Sequence, residues 1–297
     1  MRHGAAVNAK GELFAVSFKK AVFQLGQVLP TQQLFFRGDN KSFFNSIRFL
    51  PSKNKNEQIA LTGDVLQHRV LKIVKKGKNT KTSVFCADPR IVQPNDLAVT
   101  KSGRVYLSGQ NFTHDTKVGD GSLWLCDGKS KKAIRLGEFG RTNGIEVSPN
   151  EKYLYLSEAF NKNGTIVSNK ILRFRLNRKT GKTIGKPKIF VDFAKFDKTQ
   201  NIDIDGMRTD IKGNLYVTRN GSGQVKKFSP TGKLLATYVL SFKAPTNLEL
   251  GGPTGTDLFV VGKCEGEFAN GCVDVYRGGK IPGRAISILR RRGHGHM

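Results

Sequence analysis

Short apolar stretches recur along the chain at an interval of roughly 45 residues, the spacing of a blade-type repeat. Six copies can be read: Glu12-Leu13-Phe14-Ala15-Val16, Gln58-Ile59-Ala60-Leu61, Arg104-Val105-Tyr106-Leu107, Tyr153-Leu154-Tyr155-Leu156, Asn214-Leu215-Tyr216-Val217 and Asp257-Leu258-Phe259-Val260. Each is short and rich in β-formers, which predicts a buried strand. Roughly ten to fourteen residues earlier lies another short strand, joined to it by a turn of Gly, Asn, Lys, Ser or Pro, so each copy reads as the second arm of a hairpin. Two further extended stretches follow, as in Gly121-Ser122-Leu123-Trp124-Leu125 and Ala133-Ile134-Arg135-Leu136.

Four strands in each of six repeats predict an all-β fold, a six-bladed β-propeller of four-stranded antiparallel blades around a central channel. Helical periodicity is weak throughout, which disfavours a parallel α/β sheet. Residues 1–289 are expected to form the propeller and 290–297 a basic, disordered tail. With the first inner strand beginning near Gly4, the sixth blade is expected to be completed from the C-terminal side, by Cys272 to Tyr276 and Arg284 to Leu289.

Composition narrows the class further. With 38% hydrophobic and 25% charged residues the chain can bury a core, which excludes wholesale disorder. No apolar run reaches the roughly 20 residues of a membrane helix, and Met1-Arg2-His3-Gly4 lacks an apolar signal core, so a soluble cytoplasmic or other intracellular protein is expected. Fifty Lys and Arg against 23 Asp and Glu give a formal charge of +27, a field that attracts acidic partners. Local clusters are Lys75-Lys76-Gly77-Lys78 and Lys129-Ser130-Lys131-Lys132, but no motif that reads nucleic acid accompanies them. Cys86, Cys126, Cys264 and Cys272 lack zinc spacing. Cys264 and Cys272 flank one short loop, where either a disulfide or reduced thiols can be drawn; reduced thiols are the default without a signal peptide.

Candidate chemistry comes from aligning the six hairpins. The starts of the first strands are then His3, Asn45, Asn95, Asn143, Asp205 and Asn247. Inner strands line a propeller's channel, so these side chains are expected to converge at one end of it. Asn and Asp also begin strands simply because they cap turns; it is the recurrence in register that points to a site. Carboxamide and carboxylate oxygens suit a hard cation such as Ca²⁺, and Gly144 and Gly206 leave room beside Asn143 and Asp205.

The stretches Gln93-Pro94-Asn95-Asp96-Leu97, Thr142-Asn143-Gly144-Ile145-Glu146-Val147-Ser148-Pro149-Asn150, Asp205-Gly206-Met207 with Gly213-Asn214-Leu215-Tyr216-Val217, and Pro245-Thr246-Asn247-Leu248 with Gly251-Gly252-Pro253 carry a resemblance. In order and spacing they resemble the gluconolactonase, regucalcin and luciferin-regenerating-enzyme family over nearly the whole chain. That resemblance implies one divalent cation, usually calcium, and hydrolysis of lactones or related small esters. It implies metal ligation by Asn143 and Asp205, contact of Asn95 with metal or substrate, and a general-base role for Asp205. Where the family has a glutamate ligand in Glu-Gly-Pro, this chain has His3-Gly4-Ala5; imidazole is softer, which shifts metal choice towards Zn²⁺ or Mn²⁺.

Loops after the second strands return to the same rim and are expected to border substrate. Gly109 to Gly121, with Asn111, His114 and Asp115, and Glu158 to Asn169 are the longest, and Arg219 stands ready to orient a polar substrate. Asn45, Asn95 and Asn247 join Asn111 and Arg219 as candidate substrate contacts. Phe112, Trp124 and Phe160 read as blade packing. No nucleophile elbow or Ser-His-Asp arrangement is present, and the remaining histidines, His68, His114, His294 and His296, form no cluster. The competing reading is a catalytically silent propeller that serves as a scaffold for an acidic partner, favoured by His3 and by the charge.

Overall fold

The computed structural model describes residues 2–17, 20–26, 32–265 and 271–291. Its strands form six antiparallel sheets in chain order. Blade one holds β1 (Arg2–Val7), β2 (Leu13–Ser17), β3 (Ala21–Leu25) and β4 (Gln32–Arg37); blade two β5 (Phe44–Leu50), β6 (Glu57–Asp64), β7 (Arg69–Lys76) and β8 (Asn79–Ala87). Blade three holds β9 (Pro94–Val99), β10 (Val105–Gln110), β11 (Gly121–Cys126) and β12 (Ala133–Phe139); blade four β13 (Arg141–Val147), β14 (Tyr153–Lys162), β15 (Thr165–Leu176) and β16 (Thr183–Asp192). A short helix α1 (Phe193–Phe196) leads to blade five, β17 (Asp203–Thr209), β18 (Leu215–Asn220), β19 (Gln224–Phe228) and β20 (Leu234–Val239). Blade six holds β21 (Ala244–Gly251), β22 (Asp257–Lys263) and β23 (Gly271–Tyr276), and helix α2 (Arg284–Arg291) follows.

The six first strands neighbour one another in a closed circle, β21 against β1 included. This is the six-bladed propeller that the repeat predicts, with every apolar copy falling on a second strand. Burial explains the assignment. Strands β9, β10 and β11 are buried along their whole length, whereas the outer strand β20 alternates half-buried and exposed, the pattern of a sheet edge that packs on one side only. The core is divided among the blade interfaces: Phe14 and Ile47 meet between blades one and two, Leu97 and Val70 between two and three, Tyr155 and Met207 between four and five.

Two expectations are corrected. Blade six has three strands among the described residues, because Arg284 to Leu289 is helical rather than a strand. Ile286 and Leu289 lie one helical turn apart, as do Arg284 and Ile288, and all four are buried, so the two pairs bury opposite sides of the helix. Arg290 and Arg291 continue that helix; residues 292–297, with His294 and His296, lie outside the described residues. Glu158 to Asn169 is not a loop but the tip of the β14–β15 hairpin.

For the cysteines the structure selects the disulfide of the two alternatives left open at Cys264 and Cys272, and adds a second. Cys86 bonds Cys126 and Cys264 bonds Cys272, with Cα–Cα distances of 6.0 and 5.2 Å. The first bridge joins β8 to β11 and so staples blade two to blade three, beside a parallel bridge from Ala87 to Lys132. Among the described residues no helix is long and apolar enough to cross a membrane.

Candidate functional site

Every inner strand breaks register near its start. The irregularities lie between His3 and Ala5, Phe44 and Ser46, Pro94 and Leu97, Thr142 and Ile145, Ile204 and Met207, and Pro245 and Asn247. A bulge leaves a residue unpaired and re-aims its side chain. In four blades a hydroxyl at the matching place on the second strand holds the bulged backbone. Thr62 Oγ1 donates to Ser46 O (2.7 Å) and Thr218 Oγ1 to Gly206 O (3.1 Å), while Ser108 and Ser157 Oγ accept from the N–H of Asp96 and Asn143, both at 3.1 Å.

Neighbouring strands approach so closely here that two positions admit only glycine. A Cβ on Gly144 would stand 2.1 Å from Asp205 O, and one on Gly206 would stand 2.4 Å from Asn247 Oδ1. The glycines thus serve backbone approach between blades, where the sequence had pointed to ligand space.

Asn45, Asn95, Asn143 and Asp205 all occupy these bulges, at the rim where the inner strands begin, whereas in blade one the bulged residue is Gly4 and His3 pairs with Val16 just ahead of it. Asn45 Oδ1 and Asn143 Oδ1 are buried with no hydrogen-bond partner. Asp205 Oδ2 accepts from Asn220 Nδ2 at 3.2 Å. Burial, then the charge of Asp203, push its carboxyl well above the usual range. Burial brings His3 down to about 4, so its imidazole is neutral at pH 7. Asn247 departs from the expected ring. The bulge places Thr246 beside the others, and Asn247 Oδ1 turns inward to accept from Arg208 Nη2 at 2.7 Å.

Among the described residues no three His, Cys, Asp or Glu side chains form a metal-sized cluster. A cation at this rim would therefore rest on carboxamide oxygens, with Asp205 supplying the charge. The donors fit: orphaned buried oxygens on Asn45 and Asn143 are the groups a hard cation satisfies, and an ionised Asp205 would gain what burial denies it.

Below the rim the channel is filled by an ionic network that sequence reasoning missed. Asp96 accepts from Arg48 (2.5 Å) and Arg208 (3.2 Å), Arg208 also reaches Glu249 (3.2 Å), and Arg284 of α2 pairs with Glu146 (2.7 Å). Three guanidiniums and three carboxylates, all buried, make the channel electroneutral. Arg284 also donates to Val99 O and Gly283 N–H to Gly255 O, so α2 closes the end opposite the bulged rim. The signal was present in Ile145-Glu146-Val147, Met207-Arg208 and Leu248-Glu249-Leu250, charges set among apolar inner-strand residues.

At the bulged rim the segment after β10 packs on the β14–β15 tip: Thr116 N–H donates to Asn161 O, Gly164 N–H to His114 O, and Asn163 N–H to Asp115 Oδ1. Asn111 is exposed there. Phe112, expected to pack within a blade, is 62% exposed and lies over Arg141 instead. Trp124 is wholly buried, as expected. Arg219 is buried beneath the rim, stacked 3.5 Å over Phe193 and bonded to Thr199 through Nη2, with Nε and Nη1 unpartnered. Arg141, which the sequence reading passed over, pairs with Asp203 at 2.8 Å and likewise keeps Nε and Nη2 unpartnered.

Fold and rim together define a class: a six-bladed propeller whose inner-strand bulges present carboxamides and a carboxylate at one end of a sealed channel. The chain belongs to the SMP-30/gluconolactonase/LRE-like family, whose model matches residues 45–262; His3 lies outside that match. Regucalcin of Xenopus laevis is 29% identical over 126 residues, 42% of this chain and 38% of that protein, so the chain spans well under half of this relative. Among solved structures, a luciferin-regenerating enzyme superposes with a TM-score of 0.74 at 16% identity, over 95% of this chain and 92% of the other. A calcium-binding regucalcin from Agrobacterium tumefaciens gives 0.69 at 17%, over 89% and 82%. At these identities the structures speak for the fold.

Proposed function

We propose that this protein is a metal-dependent hydrolase of a lactone or related small ester, working at the bulged rim. The observation that carries the reading is the set of Asn45, Asn95, Asn143 and Asp205 at matched bulges, with two of the carboxamide oxygens buried and unsatisfied, in a chain of this family. Asn143, Asp205 and Asn95 would hold the cation, with His3 as a fourth donor. Calcium suits the oxygens, and Zn²⁺ or Mn²⁺ the imidazole. When bound, the cation would supply Lewis-acid polarisation of the ester carbonyl.

Asp205 accepts the proton of the attacking water. The role needs the carboxyl ionised, the state that a bound cation would favour against the burial that raises it, and Asn220 fixes its orientation through Oδ2. Asn111 and Asn45 border the substrate, with Arg141 beside them and Arg219 buried beneath, its Nε and Nη1 unpartnered. Asn247 serves indirectly, by holding Arg208 under the ring.

The test is hydrolysis of a panel of sugar and aromatic lactones with Ca²⁺, Mn²⁺, Zn²⁺ or chelator. Turnover is expected to vanish with chelator and to return with calcium. Asp205→Asn is expected to lower kcat by about 10²–10⁴. Full activity in Asp205→Asn would remove that residue as base, and turnover indifferent to chelator would end the metal dependence.

A further inference from the structure

The face opposite the bulged rim carries a groove that the proposed hydrolase does not use. It runs between the β1–β2 turn, the β5–β6 turn, the β7–β8 turn and helix α2, and encloses about 1040 Å³. Its lip carries Lys10, Lys55, Lys76 and Arg290 against a single carboxylate, Glu57, whose Oε1 already accepts from Ser52 Oγ. Arg290 Nε donates to Ala9 O at 3.0 Å, which holds that cation at the groove by a carbonyl rather than a counter-ion. Lys10, Lys55 and Lys76 are exposed. The floor is apolar, with Leu50 and Ile59 half-buried and Leu289 of α2 beside them.

We propose that this groove docks an acidic peptide segment of a partner protein, anchored by an apolar side chain on the Leu50–Ile59 floor. Charge complementarity selects an anionic occupant, and the floor requires an apolar group within it. Exposed carboxamides of Asn56 and Asn79 lie among the cations. They offer donor and acceptor together, which matches the alternating N–H and C=O groups of a peptide backbone. A second copy of this chain is disfavoured, since each copy carries +27.

The probe is a fluorescein-labelled decapeptide of glutamates around a central Leu-Phe, titrated by fluorescence anisotropy against the full chain. Because any polyanion feels the overall charge, two triple variants are compared, K10E/K55E/K76E in the groove and K129E/K131E/K132E on an exposed turn elsewhere. Thermal melting confirms that both fold. The groove variant is expected to bind at least about tenfold more weakly, the control within about threefold of the parent, and a Ser-Ser peptide about tenfold more weakly than Leu-Phe. Equal weakening by both triples, or undiminished binding of the Ser-Ser peptide, overturns the proposal. So does a groove variant that loses phosphatidylserine vesicles but keeps the peptide, which would assign the face to lipid.

Discussion

Asp96 is the one carboxylate that two buried guanidiniums share, Arg48 and Arg208. Burial opposes its ionisation, but Arg48 and then Arg208 outweigh burial and hold the carboxyl below the ordinary range. A depressed folded-state value contributes stability that is present above the unfolded value and is lost as pH falls through the folded one. Glu249, sharing Arg208, is pushed the other way by burial, so Asp96 is where the network's acid sensitivity concentrates. Asp96→Ala is expected to cost about 3–5 kcal/mol at pH 7 in urea unfolding, since it strands the buried Arg48 and leaves Arg208 with Glu249 alone. The cost should shrink as pH falls below about 4, where the unfolded chain's Asp takes up a proton while the folded carboxyl still resists it; an equal cost at pH 7 and pH 3 would contradict this. Asn143 and Asp205 were legible in the sequence because each lies two residues before an inner-strand apolar position and opens a repeat. Asp96 was written in the same motif, yet a charge beside an Asn at a turn reads as solvated until a facing strand brings Arg48 and Arg208 to it.

At the scale of single elements, the bulge is what turns an inner strand into a site. Thr218 holds the bulge of β17 by donating to Gly206 O, the residue after Asp205. Thr218→Val keeps the shape and removes that bond, with an expected loss of about 1 kcal/mol. Cation affinity measured by calorimetry should fall with it, because the backbone that aims Asp205 is released; unchanged affinity would mean that packing alone sets the bulge. Hairpins were legible because second strands are continuous apolar runs. Helix α2 was not, since Ala285-Ile286-Ser287-Ile288-Leu289 offers β-branched residues and apolar positions that satisfy either period. What decides is Arg284, which reaches Glu146 and Val99 O inside the channel only from a helical turn seated on its end.

For the whole molecule, the question is how a ring closes when its last blade has three strands among the described residues. The Cys86–Cys126 bridge strengthens the seam between blades two and three, not the one between six and one. That seam is held by Val7, Leu13, Phe259 and Val261 with Ile286 of α2, and by the backbone bond from Gly252 N–H to Gly11 O at 3.0 Å. Gly11 has φ +84° and a Cβ there would stand 2.0 Å from Gly252 O, so the two turns meet only because Gly11 carries no side chain. Closure by packing leaves this seam sensitive to any backbone displacement, because among the described residues no hydrogen-bonded strand spans it. Gly11→Ala combines left-handed strain with a backbone clash and is expected to cost about 2–4 kcal/mol, read from the urea midpoint. Gly103→Ala shares the same φ of +84° but faces open space, so it isolates the strain and should cost about 1 kcal/mol. If the two substitutions cost the same, contact between the turns contributes nothing to closure, and the burden falls on the apolar cluster and α2 alone.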